Sequence, residues 1–279
     1  MGYWIDVDKN EQHMFQPVQW RTALDETVEA AKYFARMGSG EEPFTPPLGA
    51  LRWENAIMGG GVYKNIVVDG QALFMWVWNN SGSDIGVGVP MVRRADTAVT
   101  VVTGDVNYLT CTGLTADKEY GALLQVLDDA GAAGAAPEGS WAKVISNIAT
   151  RIDFQPDVAA ALAVGDTAQL IYNSHVLAAA AGAKLCDFRG VPVKSTGIPD
   201  GYMGWACIKA PAVKVKCVAA GTAITTHEGL IAGTALFTNG STALQEVTLA
   251  YALSSLTTDT VARYLMCALN PNFAYAASA

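Results

Sequence analysis

Three histidines, His13, His175 and His227, stand far apart, and none has a second ligand type at metal-binding spacing. His227-Glu228 opens like a zinc-protease helix, but Gly229-Leu230-Ile231 follows where a second histidine must return one turn later. Asp6-Val-Asp8-Lys-Asn10 offers the first oxygens of a calcium loop. Glu11 then replaces the glycine that the loop needs for its sharp turn, and Pro17 the bidentate glutamate. Asp128 and Asp129 are adjacent carboxylates, yet neighbours in a strand point to opposite faces. Gly38-Ser39-Gly40 has no strand before it and no lysine after it, and Gly59-Gly60-Gly61 has no dinucleotide-loop continuation. Cys111, Cys186, Cys207, Cys217 and Cys267 are odd in number and widely spaced, which predicts reduced thiols packed as small hydrophobes. The sequence therefore predicts no catalytic residue, no metal site and no cofactor.

The chain of 279 residues is 51% hydrophobic and only 16% charged, with a net charge of −8. No apolar run approaches the roughly 18 residues of a spanning helix, so no membrane partner is expected. No dense Lys/Arg stripe exists to neutralise phosphates, so no nucleic-acid partner is expected either. The start, Met1-Gly-Tyr-Trp-Ile-Asp-Val-Asp8, lacks a basic region followed by an apolar core, which predicts assembly in a reducing cytoplasm. After Val218 the only charged side chains are Glu228, Glu246, Asp259 and Arg263, among many threonines. A stretch this neutral lies in a core or faces another protein.

Thr22-Ala-Leu-Asp25 has the pattern of a helix start, and Leu24, Val28, Ala31 and Phe34 recur at helical spacing. These predict an amphipathic helix over 22–37 stopped by Gly38. The Gly- and Pro-rich run from Gly38 to Leu48 predicts an extended arm. Beyond Val62 the signals are strands. Hairpin turns are expected at Asp69-Gly70 and Asn239-Gly240. A turn is expected at Pro199-Asp-Gly201, a half-solvated strand at Val213–Cys217 and a strand buried on both faces at Val261–Leu269. Ala130–Ala136 reads as a loop tip between Leu123–Leu127 and Trp141–Ile145, although 117–127 also has some helical character weakened by Gly121. Phe74, Trp76 and Trp78 share one strand face, either as core or as a sugar-stacking strip. The fold expected is mainly β, with β-sandwich or barrel-like modules behind an N-terminal helix and arm. The expected divisions are 1–61 for the helix and arm, 62–150 for a first β module and 151–279 for a second with the charge-poor sheet.

Trp78-Asn-Asn-Ser-Gly-Ser-Asp-Ile-Gly-Val-Gly-Val-Pro-Met-Val92, then Gly190-Val-Pro-Val193, Asp200-Gly-Tyr-Met-Gly-Trp-Ala-Cys-Ile208, Ala212-Val-Lys-Val215 and Ala220-Gly-Thr-Ala223 follow one another in order. This succession resembles that of tailed-bacteriophage virion structural proteins of the capsid decoration or cement kind, over roughly Trp76 to Leu269. The resemblance implies a non-enzymatic β-rich protein on the capsid surface of the virion, often a homotrimer, which binds the major capsid protein and clamps neighbouring capsomers. The rival readings are the major shell protein itself, which needs a long spine helix, and a carbohydrate-binding adhesin or tail component using its tryptophans. The residues expected to meet the partner are Trp4, Phe15, Trp20, Leu24, Val28, Phe34 and Phe44, carried on the helix and arm.

Overall fold

The computed structural model describes residues 24, 27–29, 46–56, 58, 66–131, 134–219, 222–240 and 248–269. Among them the chain is mainly β, with two sheets and no helix beyond a single 3-10 turn at Leu185–Asp187. The strands are β1 (Thr27–Glu29), β2 (Leu51–Ala56), β3 (Val68–Asn79), β4 (Met91–Arg93), β5 (Thr97–Thr100) and β6 (Thr103–Gly104). They continue with β7 (Tyr108–Thr110), β8 (Leu123–Asp128), β9 (Trp141–Ile148), β10 (Arg151–Gln155), β11 (Thr167–Ile171) and β12 (His175–Ala178). The rest are β13 (Phe188–Pro192), β14 (Tyr202–Val218), β15 (Gly229–Gly233), β16 (Leu236–Asn239), β17 (Ala250–Ala252) and β18 (Arg263–Leu269).

Two compact units result, and one is inserted into the other: Arg93–His175 forms the second unit, and the chain on either side of it forms the first. This division differs from the boundaries expected at 61/62 and 150/151. A cut at 150/151 would sever the β9–β10 hairpin, in which Arg151 pairs with Ile148.

The first unit is organised on β14. Its first half pairs with β3 and β13, and its second half with β18 and β16. The break falls at Ala210-Pro211-Ala212, where both ladders shift register. Pro211 has no N–H to give a ladder, and here none is asked of it. Opposite this point Gly70 has φ +88°, and a Cβ on it would stand 2.7 Å from the Pro211 ring. Asp69-Gly70 is therefore a bulge inside one continuous strand and not the expected hairpin turn, because β3 finds its partners in β2 and β14. The expected alternation holds in Val213, Val215 and Cys217, all buried, with Lys214 and Lys216 half-exposed between them.

Three other expectations change. Residues 27–29, expected in a helix, form β1 against Tyr202–Gly204, because the free edge of β14 offers ladder bonds and the β-branched Thr27 and Val28 suit them. The rest of that helix, apart from Leu24, and the arm up to 45 lie outside the described residues. The observed C-terminal hairpin joins β15 to β16 through Thr234-Ala235, and the strand expected after Gly240 lies outside the described residues. β18 buries Leu265, Cys267 and Leu269 on one face only, so the expected two-sided burial is corrected. The turn at Pro199-Asp-Gly201 is present: Tyr202 N–H donates to Pro199 O at 3.1 Å, and Gly201 has φ +77°.

The second unit is a sheet in the order β5-β11-β8-β9-β10-β7-β6. Its two ends are one run of chain. Val101 N–H donates to Asp166 O, and Val102 N–H donates to Thr110 O, so Thr97–Gly104 bonds β11 on one side and β7 on the other. The sheet thus closes on itself, and no open edge remains along this run. Its interior is filled by side chains from alternating positions, among them Val99, Leu109, Leu124, Val144, Ile152, Phe154 and Leu170. The expected hairpin around the Ala/Gly loop is β8–β9, and the weak helical character of 117–127 gives way because Gly121 takes φ +80° just before β8.

Candidate functional site

Among the described residues, several buried polar and titratable groups converge within the second unit, where the chain enters it and leaves it. Arg94 N–H donates to His175 O at 2.8 Å. Glu119, 1% exposed, accepts from Arg94 Nη1 at 3.3 Å and Nη2 at 3.4 Å, and from the Tyr172 hydroxyl. The Arg94 guanidinium lies 4.2 Å from the centre of the Tyr172 ring, and His175 meets the same ring edge-on at 5.1 Å. The Asn147 side chain accepts from Glu119 N–H at 2.9 Å and donates to Thr115 O at 2.8 Å.

Each residue arrives there by register. Ala168, Leu170 and Tyr172 follow one another on the inward face of β11 and its continuation. On β9 the inward series Ala142, Val144 is offset by a bulge at Ile145 and resumes at Asn147. Polar residues thus occupy inward positions at one end of a hydrophobic interior, and they have to satisfy one another there.

The electrostatics favour fixed charge states over proton exchange. Burial, followed by the hydrogen bond to Glu119, raises the Tyr172 hydroxyl well above its ordinary range. Burial, and then the Arg94 charge, lowers His175 to about 3, although a hydrogen bond to the Tyr120 backbone works the other way. A group that exchanges protons at neutral pH needs a pKa near 7, and both lie far from it. Cys111 is also raised, by burial and by the Glu119 charge. The arrangement can do one thing well, which is to neutralise a buried carboxylate and tie the entering and leaving strands together.

The loops at 79–84 and 197–200 form a second ordered cluster, in the first unit. Asn79, buried, donates to Ser83 O and Ile198 O at 2.8 Å each and accepts from the Ser81 hydroxyl at 2.8 Å. Asp84 accepts from Asp200 N–H, and Asp200 from Gly82 N–H. A Cβ on Gly197 would stand 2.1 Å from Ile85 O, and one on Gly190 2.2 Å from Cys207 O. Gly88, Gly190 and Gly197 are required because backbone touches backbone, whereas Gly82 and Gly201 have open space around them, and Asn79, Asp84 and Asp200 hold the loops by hydrogen bonds.

The outer face of the second unit is different in kind. Seven of the twelve large hydrophobics exposed among the described residues lie in this unit. Five of them form a band on two neighbouring strands: Leu123 and Leu127 on β8, with Trp141, Ile145 and Ile148 on β9. Trp141 is 49% exposed and Ile148 59%. Ile145 is the extra residue of the bulge, since Ser146 pairs with Asp153 and Val144 with Phe154. Lys143 lies exposed within the band, opposite Leu123 on one side and Gln155 on the other. Beside the band, Arg151 donates to Asp153 at 2.8 Å and covers the Tyr108 ring at 4.0 Å.

Of the residues expected to meet a partner, Trp4, Phe15, Trp20, Phe34 and Phe44 lie outside the described residues. Leu24 is fully buried by the chain itself, and Val28 sits half-buried in β1. The aromatic strip Phe74, Trp76, Trp78 is buried, with Trp76 packed edge-on against Trp205 at 5.1 Å. His227 is a turn residue at φ +68°, its N–H donating to Ala252 O. Sequence reading missed the Arg94–Glu119–Tyr172–His175 cluster, and the available signal was a tyrosine and an asparagine at inward positions of alternating strands. Comparison with protein-family models, curated proteins and solved structures finds no match to this chain.

Proposed function

We propose that the chain is a non-enzymatic virion structural protein that binds the outside of a capsid shell and clamps neighbouring capsomers, associating with itself as a homotrimer. The observation that carries this reading is the inversion in the second unit. Its chemistry-bearing side chains are locked inside as a clasp, while large hydrophobics face outward on strands held rigid by a closed sheet. A rigid, partly apolar outer face suits a protein whose work is contact. The motif loops add support, because their residues serve backbone packing and hydrogen bonding in the first unit.

The sugar-stacking alternative rested on Phe74, Trp76 and Trp78, and their burial takes away the strip it needs. The shell-protein alternative needs a spine helix, and none occurs among the described residues. Self-association is favoured by the neutral C-terminal strands, where Leu253, Val261 and Tyr264 are exposed among threonines.

Two measurements test the reading. Protein gels of purified particles should show this chain at stoichiometric abundance; its absence from particles while it accumulates in the host cell would refute the proposal. Light scattering should give three times the 29.4 kDa chain mass. A monomer, alone and on the shell, would remove the trimer.

A further inference from the structure

We propose that mild acid opens the inserted unit while the first unit stays folded, with protonation of His175 as the trigger. Such a device operates whether or not the chain sits on a capsid.

Every member of the clasp belongs to residues 93–175, and together they close the place where the chain enters and leaves that unit. The sheet of the inserted unit closes on itself around its own core. Among the described residues, no strand within 94–174 joins the first unit's sheet. The inserted unit can therefore open as one cooperative piece without breaking the first unit's ladders.

The charge held at the clasp decides what opens it. Glu119 is the buried carboxylate there, and its oxygens already serve both Arg94 nitrogens and the Tyr172 hydroxyl. His175 is buried edge-on against the Tyr172 ring, and the Arg94 guanidinium lies over that same ring. A proton on the imidazole would set a second cation in a site whose carboxylate is taken. The charges on the neighbouring strands give no relief. Lys143 on β9 acts on His175 as a further cation, and Arg93 on β4 is held by Asp96. On β3, Asp69 lies at the far end from Val77, which clusters with Val176. Burial, and then the Arg94 charge, holds His175 neutral down to about 3 while the clasp is closed; in the open chain it takes a proton near 6.5. The closed form is thus fully favoured above pH 6.5 and loses ground as pH falls toward 3. Through this one group, the open population at pH 5 should stand about thirtyfold above that at pH 7.5.

The cysteines of the full chain supply the test. Cys111 lies buried in the core of the inserted unit, and Cys207, Cys217 and Cys267 are buried in the first. Cys186, exposed, serves as a reference within the same molecule. Pulse labelling with dithiodipyridine, a disulfide that reacts with thiols in mild acid, is read at each cysteine by peptide mass spectrometry. The rate at Cys111 divided by that at Cys186 should rise about thirtyfold from pH 7.5 to pH 5, with Cys207, Cys217 and Cys267 still protected. In His175→Gln the rise should be largely lost. A Cys111 ratio that does not change with pH would overturn the inference, as would an equal rise in His175→Gln. Labelling of Cys111 and Cys207 in step would overturn it too, because the two units would then open as one. If His175→Gln fails to fold, the wild-type ratios, Cys111 rising and Cys207 constant, decide alone.

Discussion

The two units differ in degree in where they put large side chains, since both bury aromatics and both expose a tryptophan, Trp53 in the first and Trp141 in the second. The first packs aromatics inside, with Phe74, Trp76 and Trp205 buried, and lets lysines of β14 line its outer face, Lys214 lying 4.6 Å from the Tyr264 ring. Its tolerances are set by backbone approaching backbone at Gly190 and Gly197. The second encloses a charged clasp at one end of its interior and turns tryptophan and isoleucines outward. The first therefore reads as a scaffold in which backbone meets backbone most closely at glycine, and the second as a closed sheet that turns more of its large hydrophobics outward.

The largest effect on stability is expected at the glycines. Gly190→Ala or Gly197→Ala should cost about 3 kcal/mol or more, since both a positive φ and a contact near 2 Å oppose a Cβ. Gly113→Ala in the second unit, with φ +85° and open space around it, should cost only about 1 kcal/mol. Denaturant unfolding of the three variants checks the contrast, and equal losses would mean that the first unit is not set by backbone approach.

Glu119→Ala should come next, with a loss of about 2 kcal/mol, because it leaves the Tyr172 hydroxyl without its carboxylate acceptor and Arg94 with only the Lys118 carbonyl. Partial exposure of Arg94 keeps the loss below that of a fully buried pair. An unchanged midpoint would mean that the clasp does not hold the unit.

His175 makes the stability of the second unit depend on pH. It is held neutral down to about 3, whereas in the unfolded chain it takes a proton near its ordinary 6.5. Between those values the unfolded state binds more protons, so this contribution to stability is whole above pH 6.5 and is lost progressively as pH falls toward 3. Arg94 and Lys143 are the cations that act on it, and Glu119 faces the Tyr172 ring that it packs against. Unfolding of wild type and His175→Gln at neutral and at mildly acid pH should show the gap between them change, with wild type losing more on acidification. Parallel curves would contradict the assignment. The smallest effect expected is Ile148→Thr, exposed on the band, which should alter stability by no more than about 0.5 kcal/mol.

Local features were legible in the sequence wherever one segment sufficed to determine them. The period-two pattern of Val213–Cys217, the Pro199-Asp-Gly201 turn and the β8–β9 hairpin are of this kind, since each depends on neighbours within a few residues. Asp69-Gly70 misled because a glycine at positive φ serves a bulge as well as a turn, and only the distant Pro211 distinguishes them. Residues 27–29 carry a helical pattern that the open edge of β14 overrides. The clasp was illegible because Arg94, Glu119, Asn147, Tyr172 and His175 are brought together by closure of a sheet, and no short motif encodes closure. The outward band was hidden for the related reason that Trp141 and Ile145 alternate with polar or small residues like any half-buried strand, and which face is outward depends on the barrel interior.

A cryo-electron microscopy map of purified particles shows directly whether this chain is the proposed structural element on the outside of a capsid. Regularly placed β-rich density on the outer shell surface, into which both units fit separately, is the expected result. Particles that contain the chain but show it at the tail or inside the shell would refute the proposal.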